Sequence, residues 1–145
     1  KGELPSGLRN LPRIEDAPAI GGPLAGILSL LRWQPWCGWL VTATDQPFIN
    51  TDALDWLLSQ RRLGVHAVLP DLRGNGRVEP LLAYYAPRCH AMLEREAMVS
   101  PNPRPGCLRD GPGVLTPQPP EQLRDCWRNV NTPQEWALLR KSGML

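Results

Sequence analysis

The sequence predicts an α/β domain with a mainly parallel sheet. Short apolar, β-branched runs alternate with stretches of helical period, and clusters of proline and glycine separate the two. The alternation repeats along 145 residues, a length that suits one domain with a real core. Strand–helix alternation of this kind favours right-handed crossovers onto a single sheet.

The elements follow in order. Residues 1–20 are expected to be loop, with a short strand at Arg13 and Ile14 leading into Glu15 and Asp16. "GGPLAGILSLLRW" then places Leu24, Ile27, Leu28 and Leu31 at helical spacing, with Pro23 in the first turn, where its missing N–H costs least. Residues 39–44 form a strand ending at Asp45. A second helix starts with Thr51 as N-cap and turns Leu54, Leu57 and Leu58 inward. Residues 65–69 make a strand that ends in the glycine-rich turn "RGNGR", and "PLLAYYAP" makes another. Residues 87–97 are helical. Residues 101–120 hold many of the 17 prolines and are expected to form an irregular insertion or flap, with at most a short strand at 113–116. A short strand at "NVN" precedes the last helix. Thr132, Pro133 and Glu135 spell a capping box, and Gly143 ends that helix. No internal repeat is present, so residues 1–145 are taken as a single domain.

Composition narrows the function classes. A net charge of +2 is too small to imply nucleic-acid binding. No apolar run is long enough to cross a bilayer, so no membrane association is expected. Cys37, Cys89, Cys107 and Cys126 fit no zinc module, and reduced cytosolic thiols are preferred to a disulfide framework. His66 and His90 are expected to be structural. The tryptophans form no basic–aromatic ladder. No Ser/His/Asp arrangement is visible, and neither Cys37 nor Cys89 has an activating base nearby in sequence.

Chemistry is expected beyond the carboxyl ends of the strands, where open α/β sheets bind ligands. Asp45 is delivered there, and Pro47 stops the strand from continuing. A carboxylate at that rim can coordinate a hard divalent cation such as Mg²⁺; alternatively it bonds nearby main-chain N–H groups as turn chemistry. The glycines of residues 21–26 either let a nucleotide approach the backbone at a helix N-terminus, or simply make a tight turn. The segment lacks the ending of a Walker A loop. Glu15 and Asp16 alone read as a solvated loop pair. Asn129 and Asn131 flank Val130 and share a face, where their amides either read a heterocycle or cap the turn before the last helix.

Four pieces occur together and in order: "IEDAPAIGGPLAGILSLL", "WLVTATDQPF", "GRVEPLLAYY" and "NVNTPQEW". As a set they resemble the molybdenum-cofactor guanylyltransferases and their close nucleotidyltransferase relatives. The similarity runs from about Arg13 to Leu139 and thins over residues 96–128. It implies a Rossmann-like three-layer α/β/α fold and transfer of GMP from Mg-GTP to molybdenum-molybdopterin, with release of pyrophosphate. By this resemblance Asp45 is the Mg²⁺-binding and catalytic acid, and Asp16 is an acid on the nucleotide. Gly22, Pro23, Leu24, Ala25 and Gly26 lie beside the guanine. Pro80, Asn129 and Asn131 fall on the pterin side, and Glu79 with Pro80 forms a site-lining turn. The resemblance also implies a cytoplasmic enzyme, with transient contact to molybdoenzymes or other cofactor-maturation proteins.

Relatives of this kind open with a strand and a glycine-rich loop of the type L-A-G-G…R-M-G…D-K, which the residues from Lys1 onward do not contain. The expectation is therefore a domain whose first βα portion is missing, inactive as this piece alone. Rival expectations are a related transferase using CTP or another phosphorylated acceptor, and a non-catalytic domain that hands the cofactor to a target enzyme.

Overall fold

The computed structural model describes residue 7 and residues 10–143; the remainder of the expected N-terminal loop lies outside the described residues. Helix α1 is Pro23–Trp33, strand β1 Trp39–Val41, α2 Thr51–Ser59, β2 Ala67–Val68, β3 Ala83–Tyr85, α3 His90–Val99, β4 Val114–Leu115 and α4 Pro133–Lys141. The sheet order is β1-β3-β2-β4. β2 and β4 pair in parallel, whereas β3 pairs antiparallel with both β1 and β2. Three strands thus point one way, and "LLAYYA" runs back between two of them. The sheet is mixed, which refines the mainly parallel expectation. Sequence periodicity fixes which face a side chain takes but not the direction of its strand.

Alternation along the strands builds two cores. Ala67, Leu69, Ala83 and Tyr85 pack with Leu24, Ile27, Leu28 and Leu31 of α1 and with Leu93 of α3. Val68, Leu82, Tyr84 and Ala86 pack on the other face with Ala53 and Leu57 of α2 and with Leu123, Cys126 and Trp127. These are the three expected layers, helices on both faces of one sheet. All four apolar residues expected to face inward from α1 are buried, and Pro23 occupies its first turn.

Several local expectations are corrected. Asn50, not Thr51, caps α2: its backbone is extended (φ −133°, ψ 171°), and its Oδ1 accepts from the Ala53 N–H at 2.9 Å. Leu58 is 36% exposed, because α2 buries the face centred on Ala53 and Leu57. Arg13 and Ile14 form no strand, since a strand exists only where a neighbouring backbone pairs with it. Residues 129–131 are likewise not a strand; one hydrogen bond, Val130 N–H to the Asp45 carbonyl at 2.7 Å, ties them to the sheet end. The helix expected from residue 87 starts with a 3-10 turn at Pro87–Cys89 before α3.

The capping box at α4 is present, with Thr132 Oγ1 accepting from Glu135 N–H and Glu135 Oε2 accepting from Thr132 N–H. Gly143 follows with φ 69°. The proline-rich segment supplies a 3-10 stretch, Pro105–Asp110, which buries Pro105 and Leu108, and then β4. All four cysteines are free thiols.

Candidate functional site at the strand ends

Strand β1 runs out at Val41, and Thr44 and Asp45 form a turn. The turn is made by the neighbour of the expected residue. Gln46 is buried, its Oε1 accepts from the Ala43 N–H at 3.1 Å, and its own N–H reaches the Ala43 carbonyl. Asp45 takes no part in this: its Oδ1 is buried with no hydrogen-bond partner. The turn-chemistry alternative for Asp45 is therefore replaced, with Gln46 in that role. A buried carboxylate oxygen lacking a donor is costly unless a cation or an outside donor meets it. Asp45 as a whole is only half-buried, and a carboxylate with an open side is the ligand type that a hard divalent ion takes. Among the described residues no group of three or more His, Cys, Asp or Glu could hold a metal. An ion at Asp45 would thus draw its other ligands from phosphate oxygens and water, as Mg²⁺ commonly does.

The Asn129–Asn131 segment meets this same turn. Val130 is buried and its N–H holds the Asp45 carbonyl, while Asn129 and Asn131 are exposed on either side. The Arg128 guanidinium lies 5.6 Å from the Phe48 ring centroid and adds a second tie. Capping before α4 is done by Thr132 and Glu135, not by the asparagine amides. Asn131 also lines a separate hollow beside Trp136 and Arg140.

The glycine segment lies at the mouth of two cavities. Gly22 is the N-cap of α1, at φ 66° and ψ −161°, a conformation essentially reserved for glycine, and no side chain caps the helix. One groove, about 460 Å³, is lined by Asp16, Gly22, Pro23, Gly26 and residues 41–44 at the end of β1. Asp16 is exposed, and its Oδ1 would lie 3.5 Å from a Cβ placed on Gly26, so carboxylate and glycine sit side by side on its wall. Leu24 and Ala25 are buried and line neither cavity, so their side chains point into the core.

The second cavity is larger, about 910 Å³, and shares Gly22 and Pro23 with the first. Its other walls are residues 75–80 and residues 101–106 with Arg109. Glu79 and Pro80 therefore line a site, on the side of Gly22 and not of Asn131. Pro80 is held by the buried Tyr85, whose hydroxyl donates to the Pro80 carbonyl at 2.7 Å. Both volumes fall within the range of small-molecule sites.

Asp71 organises the turn that forms one wall. It is buried, with Oδ2 accepting from Gly76 N–H at 2.7 Å and Oδ1 accepting from Arg73 and Asn75 N–H at 3.2 and 3.3 Å. Desolvation pushes its carboxyl up, but the main-chain donors outweigh this and hold its pKa below the usual value. Arg109 Nη1 donates to the Gly76 carbonyl at 2.6 Å and straps the turn to the 3-10 segment. Sequence reasoning missed Gln46, Asp71, Arg77, Arg104 and Arg109. The only sequence signal was the cationic character of "RGNGR" and "PNPRPG", which gains meaning once the two segments face each other.

Fold and site together define an α/β domain with two cavities that meet at the start of α1, one of them reaching the end of β1. A family profile described as "MobA-like NTP transferase domain" matches residues 4–100. The chain belongs to that family. It is 34% identical over 140 residues to a "Molybdenum cofactor biosynthesis bifunctional protein" of Synechocystis, covering 90% of this chain and 37% of that protein. It is 29% identical to a "Probable molybdenum cofactor guanylyltransferase" of Bacillus cereus, covering 92% and 68%. Among solved structures, the "Molybdopterin-guanine dinucleotide biosynthesis protein A" of Archaeoglobus fulgidus superposes with a TM-score of 0.67 at 28% identity, over 85% of this chain and 63% of that one. A putative protein of Aquifex aeolicus reaches the same TM-score at 17% identity, a likeness of fold alone. The chain thus spans only about a third of the bifunctional relative and under two thirds of the solved A. fulgidus chain. The family is one of NTP transferases, and the named relatives are described as proteins of molybdenum-cofactor biosynthesis. No helix among the described residues is long and apolar enough to cross a membrane.

Proposed function

We propose that the protein transfers GMP from GTP to molybdenum-molybdopterin and releases pyrophosphate. The observation that carries this reading is the half-buried Asp45 carboxylate, its Oδ1 without a donor, in the turn beyond β1. It lies in a chain whose relatives include a probable molybdenum cofactor guanylyltransferase. In this reading the groove beside Asp16, Gly22 and Gly26 takes the nucleoside, and Asp45 holds Mg²⁺ against the nucleotide phosphates. A bound Mg²⁺ offsets the charge that develops on the pyrophosphate leaving group. The acceptor phosphate oxygen bonds to the α-phosphorus as the bond to pyrophosphate breaks, so the protein's task is alignment and electrostatics. Asn129 and Asn131, tied to the Asp45 turn through Val130, face the pterin, whereas Pro80 lines the cavity that opens at Gly22. Four free thiols suit a cytoplasmic setting, where transient contact with molybdoenzymes or other maturation proteins would pass the product on.

The test is pyrophosphate release by the full-length protein, with GTP, CTP, ATP and UTP compared in the presence of the molybdopterin acceptor and Mg²⁺. GTP is expected to be the preferred donor. Asp45→Ala is expected to abolish turnover while leaving the circular dichroism spectrum unchanged. Undiminished turnover by that variant at ordinary Mg²⁺ removes the metal assignment, and preference for CTP removes guanine as the base.

A further inference from the structure

We propose that the larger cavity binds a phosphate group of its ligand through Arg77 and Arg104. Its walls carry three arginines, Arg77, Arg104 and Arg109, against one acid, Glu79. Arg109 is already engaged, donating through Nε to Asp110 at 3.0 Å and through Nη1 to the Gly76 carbonyl. Arg77 and Arg104 have no ion pair among the described residues. Each is exposed on an otherwise well-anchored segment. Guanidinium groups present a planar fork of donors that matches phosphate oxygens in pairs. Two such groups on facing walls, with no carboxylate matched to each, make a potential that an anion relieves.

The walls are held before any ligand arrives. Asp71 fixes one end of the turn with three main-chain hydrogen bonds. The Glu79 N–H donates to the Pro70 carbonyl at 2.8 Å and closes the neck. On the opposite wall Pro105 and Leu108 are buried beside Arg104 and Arg109. Side chains carried on fixed backbone lose less entropy when they engage a ligand. The uncapped start of α1 at Gly22 opens on the same space and adds partial positive charge.

The anion site stands on this geometry alone. The owner of the phosphate, nucleotide or acceptor, rests on the proposed transferase reading. The experiment uses the full-length protein and inorganic pyrophosphate as probe, with affinity measured by calorimetry. Arg77→Ala and Arg104→Ala are each expected to weaken binding about tenfold, the usual scale of a hydrogen bond to a charged group. Arg77→Lys should recover only part of that loss, because it keeps the charge and loses the fork. Both positions are exposed, and unchanged melting temperatures would confirm intact folding. A double Arg61→Ala, Arg62→Ala variant alters a different hollow, beside Tyr84, and is expected to bind like wild type. No pyrophosphate binding by wild type, unchanged affinity in the Arg77/Arg104 double variant, or an equal loss in the Arg61/Arg62 control each overturns the proposal. Separate titrations with GTP and with the phosphorylated pterin assign the source, by whichever ligand the Arg77 and Arg104 variants weaken. Pyrophosphate binding at these arginines without any nucleotide transfer would keep the anion site and remove the transferase reading.

Discussion

At the residue scale, Asp45 and Gln46 divide what one residue might have done. Gln46 closes the turn from a buried position, which leaves the Asp45 carboxylate oxygen buried and without a donor. A buried polar atom without a partner lowers stability, and functional sites often carry such a cost. Asp45→Asn is therefore expected to raise the unfolding free energy by about 1 kcal/mol in a metal-free buffer. Urea titrations in EDTA and in MgCl₂ check this: Mg²⁺ should stabilise wild type and leave the variant unmoved. A variant less stable than wild type in EDTA would mean that the carboxylate already has a partner. The acid at a strand end was legible in "WLVTATDQPF". That its neighbour does the turn chemistry was not, because Asp and Gln both bond backbone readily and only the folded path decides which of them can reach.

At the element scale, the site depends on a helix start and a pinned turn. Helix α1 was legible because its apolar spacing is a local property: Leu24, Ile27, Leu28 and Leu31 are all fully or almost fully buried. The same burial takes Leu24 and Ala25 away from the cavities, so the expected nucleotide segment offers Gly22, Pro23 and Gly26 there. The turn after β2 was legible from its glycines, but its anchor was not. Asp71 is held below the ordinary carboxylate pKa; desolvation opposes this, and main-chain donors outweigh it. A depressed folded pKa adds stability that is full above the unfolded value, about 3.9, and is lost as pH falls through the folded one. Acid should therefore loosen this turn, with protection of the Gly76 amide falling below about pH 4. Asp71→Asn should show weakened Gly76 protection already at neutral pH, measured by hydrogen exchange. Equal protection in both proteins at pH 7 would show that the carboxylate charge does not hold the turn.

At the scale of the whole molecule, one sheet separates two cores, and β3 runs against its neighbours. Cys89 reports on the integrity of the first core. It is fully buried, its Sγ–H donates to the Ala86 carbonyl at 3.0 Å, and burial pushes its thiol up to about 12. Cys37, by contrast, is exposed. At pH 8, Cys37 is expected to react rapidly with an aromatic disulfide reagent, and Cys89 only as fast as the core opens. Mass spectrometry of the labelled peptides reads the order, and rapid labelling of Cys89 in native buffer would contradict the buried first core.

The sequence by itself determined the alternation of strand and helix, the face that α1 buries, the capping box at Thr132 and Glu135, and the placing of one acid just beyond a strand. These are consequences of spacing along the chain, which local geometry turns directly into helix faces, strand faces and caps. Only the tertiary structure decided the reversed direction of β3, the replacement of Asp45 by Gln46 in the turn, the bond from Val130 to Asp45, and the meeting of Arg77 with Arg104 across one cavity. Each of these depends on two segments far apart in sequence arriving at the same place, and nothing in the local order of residues records where a distant backbone will pass.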